Sequence, residues 1–154
     1  MFEIDKLEGV IIAFIKDSIK NAHAKGAVVG ISGGIDSAVA AALAVRALGK
    51  ENVLGLLLPC ESTSSDFEDA MLLIEHLGIR HKVIDLTGTY KQFLKDNGKE
   101  AAGNLTYANI KPRLRMTTLY FHGSLENALV LGTSNKSELV TGYLTKFGDG
   151  GVDI

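Results

Sequence analysis

Gly30-Ile31-Ser32-Gly33-Gly34-Ile35-Asp36-Ser37 is the stretch that organises this sequence. Before it, Ala27–Ile31 is a short apolar, β-branched run that reads as a buried strand. After it, Ile35–Leu48 is rich in Ala and stops at Gly49, as a helix does. Glycines between a strand and a helix let backbone N–H groups approach an anion closely. The helix N-terminus adds a positive dipole, and Ser32 and Ser37 add hydroxyl donors. A plain tight turn with an N-capping Ser or Asp is the bland alternative. The whole string in a strand–loop–helix context favours a phosphate cradle over it.

The string is not a Walker loop, which would end in Gly-Lys-Ser/Thr. It carries Asp36 and no lysine. A carboxylate facing phosphates is repulsive unless a divalent cation stands between them, and Mg²⁺ takes carboxylate and phosphate oxygens together.

The flanking segments imply the fold. Ile4, Leu7, Ile11, Phe14, Ile15 and Ile19 recur at helical spacing, predicting an amphipathic helix over residues 3–23. Val53–Leu58 reads as a second buried strand. Ser65-Asp66-Phe67-Glu68 has capping-box spacing and opens a helix ending near Leu77-Gly78. Lys82–Leu86 reads as a third strand, Asn109 as the cap of a helix running to about His122, and Ala128–Thr133 as a fourth strand. Residues 142–154 read as glycine-rich loop. Alternating helices and continuous apolar strands predict an α/β fold, a mostly parallel sheet covered on both faces. Ligands of such sheets bind beyond the carboxyl ends of the strands, where the motifs at Ile31 and Leu131 fall.

Composition sets outer limits. The chain has 154 residues, 46% of them hydrophobic and 22% charged, which fits one domain over 1–154 with a substantial core. A net charge of −2 offers no broad basic field for nucleic acid. Cys60 is the sole cysteine, so an internal disulfide is excluded and a reducing, cytoplasmic setting is expected. No apolar run nears the ~20 residues that cross a bilayer, and acidic Glu3 and Asp5 argue against a signal peptide. His23, His76, His81 and His122 fall outside the motifs and read as structural or exposed. Cys60 has no identifiable base partner and no support as a nucleophile.

Three further segments carry chemistry. Lys111, Arg113 and Arg115 lie within five residues. They read either as a solvated face or as a ligand site, and Arg113 and Arg115 project about 200° apart, so at most one faces a given ligand. Glu138, in Gly132-Thr133-Ser134-Asn135-Lys136-Ser137-Glu138, either opens a helix or joins Asp36 at a metal. Residues 142–153 form a polar, glycine-rich loop, Gly-Tyr-Leu-Thr-Lys-Phe-Gly-Asp-Gly-Gly-Val-Asp.

The first string resembles the pyrophosphatase loop of N-type ATP pyrophosphatases, which cleave ATP between the α- and β-phosphates. The later segments resemble the NAD synthetase family within that group. They share its Asn-x-x-x-Arg-x-Arg-Met helix, its Gly-Thr-x-x-x-x-Glu turn and its Thr-Lys-Phe-Gly-Asp-Gly-Gly-x-Asp loop. The resemblance runs from the first helix to the last residue. It implies a Rossmann-like three-layer α/β/α fold of the adenine nucleotide alpha hydrolase kind, and ammonia-dependent amidation of deamido-NAD to NAD through an adenylate.

By the family pattern, Gly30, Ile31, Ser32, Gly33, Gly34, Ile35, Asp36, Ser37 and Thr133 contact ATP. Asp36 and Glu138 bind Mg²⁺ and act in catalysis through it. Arg113, Lys146 and Asp153 contact deamido-NAD. The pattern also implies a homodimer and, because family members run on past a point equivalent to Ile154, a C-terminal part missing here. Residues 142–154 are accordingly expected to be mobile or propped by a neighbouring molecule, with ATP bound but turnover poor. Too few residues precede Ala27 for a glutaminase domain, and none is Cys, so free ammonia is the expected nitrogen source. The competing readings are another ATP pyrophosphatase, such as a tRNA-modifying one, and a non-catalytic ATP-binding module.

Overall fold

The computed structural model describes residues 3–98 and 104–154. In chain order they form α1 (Ile4–Asn21), β1 (Gly26–Gly30), α2 (Ile35–Leu48), a 3₁₀ turn (Lys50–Asn52), β2 (Val53–Leu57), α3 (Ser64–Leu77) and β3 (Arg80–Val83). There follow α4 (Thr87–Asp96), α5 (Asn104–Ala108), α6 (Ile110–Glu126), β4 (Ala128–Leu131) and α7 (Lys136–Thr141). The four strands pair in parallel in the order β3-β2-β1-β4.

Alternation along the strands sorts the core into two layers. Ala27, Val29, Val53, Leu57 and Leu131 face one side, where Ile15 and Ile19 of α1, Ala41 and Ala44 of α2, and Ala70 and Ile74 of α3 cover them. Val28, Leu54, Leu56 and Val130 face the other, against Tyr90 of α4 and Met116 and Leu119 of α6. This is the three-layer α/β/α arrangement expected. Ala41 and Ala44 are fully buried, and their small side chains bring α2 close to β1.

Several local expectations need correcting. The third strand is Arg80–Val83, not 82–86, and it is an exposed edge strand. The chain beyond it still follows β2, with Ile84 N–H donating to Leu57 O at 2.9 Å, but it leaves the ladder to start α4. α4 is an element the sequence reading lacked; its N-cap, Leu86, offers no side-chain bond, and Asp85 just before it accepts from Thr87 N–H at 2.8 Å in a local turn that leads into the helix. α3 is capped by Thr63 rather than Ser65, through a long contact of 3.5 Å from Asp66 N–H. Asn109 has helical backbone angles and caps nothing, because α5 runs almost straight into α6. Its side chain instead accepts from the Thr145 hydroxyl at 3.1 Å, fastening α6 to the 142–154 segment.

That segment is not left without support. Gly132 N–H donates to Ile154 O at 2.7 Å, and Asp153 N–H donates to Val130 O at 3.1 Å. The open edge of β4 supplies the backbone groups that hold it. Gly132 makes the approach possible, since a Cβ there would sit 2.7 Å from Val152 Cγ2. Where a mobile or neighbour-propped tail is expected, the last residues of the segment are bonded to β4 of its own sheet.

Candidate active site

β1, β2 and β3 succeed one another outward, and β4 then returns to the other side of β1. The connections after β1 and β4 thus part in opposite directions. The crevice between them, at the carboxyl ends of the strands, is where open parallel sheets bind ligands. The Ser32–Ser37 loop leaves β1 on one side of it and Thr133 follows β4 on the other.

The loop is built on two side chains. Ser37 is buried, and its hydroxyl donates to Gly34 O at 2.9 Å and accepts from Ser32 N–H at 3.2 Å. Ser32 Oγ lies 3.1 Å from Ser37 Oγ and accepts from Gly34 N–H at 3.2 Å. Both hydroxyls therefore scaffold the turn rather than standing free for a ligand. Gly33 adopts φ +88°, and a Cβ there would lie 2.3 Å from Asp66 O. Only glycine lets the loop rest against the first turn of α3.

Beside the loop lies a cavity of about 420 Å³. Gly30, Ile31 and Ser32 form its floor with Leu56–Leu58 and Thr133. Phe67 and Ala70 of α3 wall one side, and Arg115, Met116 and Leu119 of α6 wall the other. The lining is mostly apolar with a few polar and charged side chains among it, suited to a flat heterocycle carrying an anionic tail.

The three cations of α6 fan apart. Lys111 pairs with Glu61 at 2.9 Å and lies over the Tyr90 ring. Arg113 Nε donates to Lys146 O at 3.1 Å. Arg115 Nε donates to Leu58 O at 3.0 Å and faces the cavity. The two arginines diverge as helical geometry requires, and Arg115, which the sequence reading set aside, is the one at the cavity. Lys146 projects over the Phe147 ring rather than into the cavity lining.

Asp153 uses both carboxylate oxygens within the chain. Oδ2 accepts from Val130 N–H at 2.8 Å and Oδ1 from the Tyr120 hydroxyl at 2.9 Å. Burial first, and Asp153 second, push the Tyr120 hydroxyl up to about 12. Asp149 lines the cavity and accepts from Thr145 N–H at 2.8 Å. The sequence signal for it was present in the Gly-Asp-Gly-Gly string.

Glu138 belongs to a capping box at the start of α7: Asn135 Oδ1 accepts from Glu138 N–H, and Glu138 Oε2 accepts from Asn135 N–H, both at 3.0 Å. The helix-opening reading of Glu138 thus holds in the structure. Asn135 Nδ2 also donates to Asp36 Oδ2 at 3.3 Å, so one residue links Asp36 to Glu138. No cluster of three His, Cys, Asp or Glu occurs among the described residues. Asp36, in the phosphate loop, and Glu138, tied to it only through Asn135, are the kind of oxygen donors that Mg²⁺ takes together with phosphate oxygens and waters.

An all-parallel α/β/α sheet with a glycine-serine loop at its switch point defines a Rossmann-like domain of the ATP pyrophosphatase loop class. The chain belongs to the NAD synthase family, whose profile matches residues 8–154. The NH3-dependent NAD synthetase of Methanosarcina mazei is 48% identical over 155 residues, covering 99% of this chain and 60% of that protein. That of Pyrobaculum aerophilum is also 48% identical, with 99% and 58% covered. The solved NH3-dependent NAD synthetase from Campylobacter jejuni aligns with a TM-score of 0.92 at 40% identity, covering 99% of this chain and 66% of that one. NMN synthetase from Francisella tularensis gives 0.94 at 39%, covering 100% and 64%. The chain thus spans about three fifths of the length of these curated relatives.

Proposed function

We propose that residues 1–154 form the ATP-binding domain of an ammonia-dependent NAD synthetase, a ligase that amidates deamido-NAD. The observation that carries this reading is the Ser32–Ser37 loop at the switch point, opening on an apolar slot of nucleotide size. In the reaction a carboxylate oxygen of deamido-NAD attacks the α-phosphorus of ATP, and the α–β bridge breaks to release pyrophosphate. Ammonia then adds to the activated carbonyl, and the C–O bond breaks to release AMP and NAD.

Gly30–Ser37 and Thr133 hold ATP, with its base in the slot lined by Leu56–Leu58 and its phosphates on the loop amides. Asp36 and Glu138 hold Mg²⁺, which offsets phosphate charge when bound. Arg113 and Lys146 receive the pyrophosphate and carboxylate of the dinucleotide, which suit cations, and Asp153 is the third residue given to that substrate. The chain's own contribution is positioning and charge complementarity, with no general base required.

No helix among the described residues is long and apolar enough to cross a membrane, and the net charge is −2. The charge supports small-molecule substrates over a nucleic-acid partner, and the single, unpaired and buried Cys60 supports a reducing, cytoplasmic setting. Ile4, Val10 and Phe14 of α1 and Phe121 and Leu125 of α6 stay exposed, which supports a homodimer. Light scattering at high concentration tests that assembly, and a strictly monomeric mass contradicts it.

The reaction is tested with protein in excess over ATP, following the nucleotide products. AMP and pyrophosphate should form only when deamido-NAD is present, and NAD only when ammonia is added. ADP and phosphate, or glutamine serving as well as ammonia, contradict the proposal. Faster AMP release with nicotinate mononucleotide would assign the chemistry named for the Francisella neighbour instead.

A further inference from the structure

We infer that Asn135 is a positioning residue that sets the spacing of the two carboxylates proposed to hold the metal. The inference rests on that metal reading. Asn135 makes three directed contacts at once. Its Oδ1 accepts from Glu138 N–H at 3.0 Å, its own N–H donates to Glu138 Oε2 at 3.0 Å, and its Nδ2 donates to Asp36 Oδ2 at 3.3 Å.

The first contact fixes the orientation of the amide. Reversing it would turn the NH₂ group onto a backbone N–H and the carbonyl onto the Asp36 carboxylate, two repulsive contacts in place of two attractive ones. The cap therefore commits the remaining donor to Asp36. The second contact holds one oxygen of Glu138 and leaves the other for a cation.

The consequence lies in how the carboxylates are carried. Asp36 stands on the first turn of α2 and Glu138 on the first turn of α7. The two elements follow different strands, and two like charges left to themselves would separate. α7 has only six residues and no buried side chain, so its packing does little to set its position. The half-buried amide of Asn135 joins the Glu138 backbone N–H to the Asp36 carboxylate, while its backbone N–H holds the Glu138 carboxylate, so the residue ties α7 and its carboxylate to Asp36 before a cation arrives. Outer partners of metal-bound carboxylates commonly act this way, and losing one costs about 10–100-fold in metal affinity.

The side chain carries two separable duties. Asn135→Ser keeps an oxygen that caps α7, since Ser is as good a cap as Asn, but it is too short to reach Asp36. Mn²⁺, followed by its paramagnetic resonance signal, serves as the probe ion for the full chain in the presence of ATP.

Asn135→Ser should weaken Mn²⁺ uptake about tenfold, while ATP affinity without metal and the melting temperature stay unchanged. A purely structural residue would move the melting temperature and leave the metal alone. Lys136→Ala, one position along and exposed, should behave as wild type. Wild-type Mn²⁺ affinity in Asn135→Ser, alongside a loss in Asp36→Asn, overturns the role of Asn135 alone. No Mn²⁺ uptake by the wild type, or undiminished uptake by Asp36→Asn, overturns the metal reading and this inference with it.

Discussion

Asp153 and Val130 are joined twice: the aspartate backbone N–H donates to Val130 O, and its carboxylate accepts from Val130 N–H. The fully buried Val130 lies in β4, so the pair fastens the end of the glycine-rich segment to the sheet. A residue read from the family pattern as a substrate contact is, in the free chain, also a clip. Asp153→Ala leaves the Val130 N–H without its partner, which costs about 1–3 kcal/mol. Amide hydrogen exchange should accelerate at Val130 and Gly132, and urea melting should report the loss. Unchanged exchange at both amides contradicts the clip.

The phosphate loop gives a contrast between neighbouring glycines. Gly33 lies at φ +88° against Asp66 O, whereas Gly34 has an ordinary φ of −82° and only Ser32 Oγ nearby, at 3.4 Å. Gly33→Ala should destabilise the fold by about 2 kcal/mol, from the left-handed backbone alone, and should abolish ATP binding as the loop shifts off α3. Gly34→Ala should fold normally. Equal stability of the two variants in urea melts would refute the close approach.

Much of this was legible beforehand where the signal is local. Gly34 and Gly49 punctuate α2, and its bounds match the sequence reading residue for residue. β1, β2 and β4 imprint continuous apolar runs because they are buried on both faces. β3 does not: Arg80, His81 and Lys82 sit on an exposed edge, no burial pattern marks them, and the apolar Ile84 and Leu86 drew the strand two residues too late. α4 was lost although Leu86, Tyr90 and Leu94 recur every four residues. At the site, the loop was legible because one contiguous string builds it. Arg115 and Asn135 were not, since which way α6 turns and where α7 lies against α2 are tertiary facts.

The two arginines of α6 separate by function. Arg115 binds Leu58 O at the cavity, and Arg113 binds the backbone of Lys146. Arg115→Ala should weaken ATP binding about tenfold, the scale of one charge-assisted hydrogen bond. Arg113→Ala should leave ATP binding intact and weaken deamido-NAD binding. Calorimetric titration of both ligands decides it, and equal losses of ATP affinity in the two variants contradict the assignment.

His122 makes stability depend on pH. Burial, and then the Lys82 ammonium 3.4 Å from Nδ1, lower its pKa below the ordinary 6.5, with Glu126 opposing weakly. Well above pH 6.5 the ring is neutral folded or unfolded and contributes nothing to the pH dependence. As pH falls below that value the unfolded chain takes up the proton first, so the native state loses stability. His122→Gln lacks this proton. The melting temperature of the variant should gain on that of wild type as pH drops from about 6.5, and parallel curves would rule the effect out.

Oxygen labelling reads adenylation of a substrate carboxylate directly. Deamido-NAD carrying ¹⁸O in its nicotinate carboxylate is mixed with ATP, ammonia and excess protein, and the AMP is analysed by mass. The attacking oxygen becomes the bridge to the α-phosphorus and leaves with AMP, so the AMP phosphate should carry one ¹⁸O. AMP formed without label, or label found in inorganic phosphate instead, contradicts it.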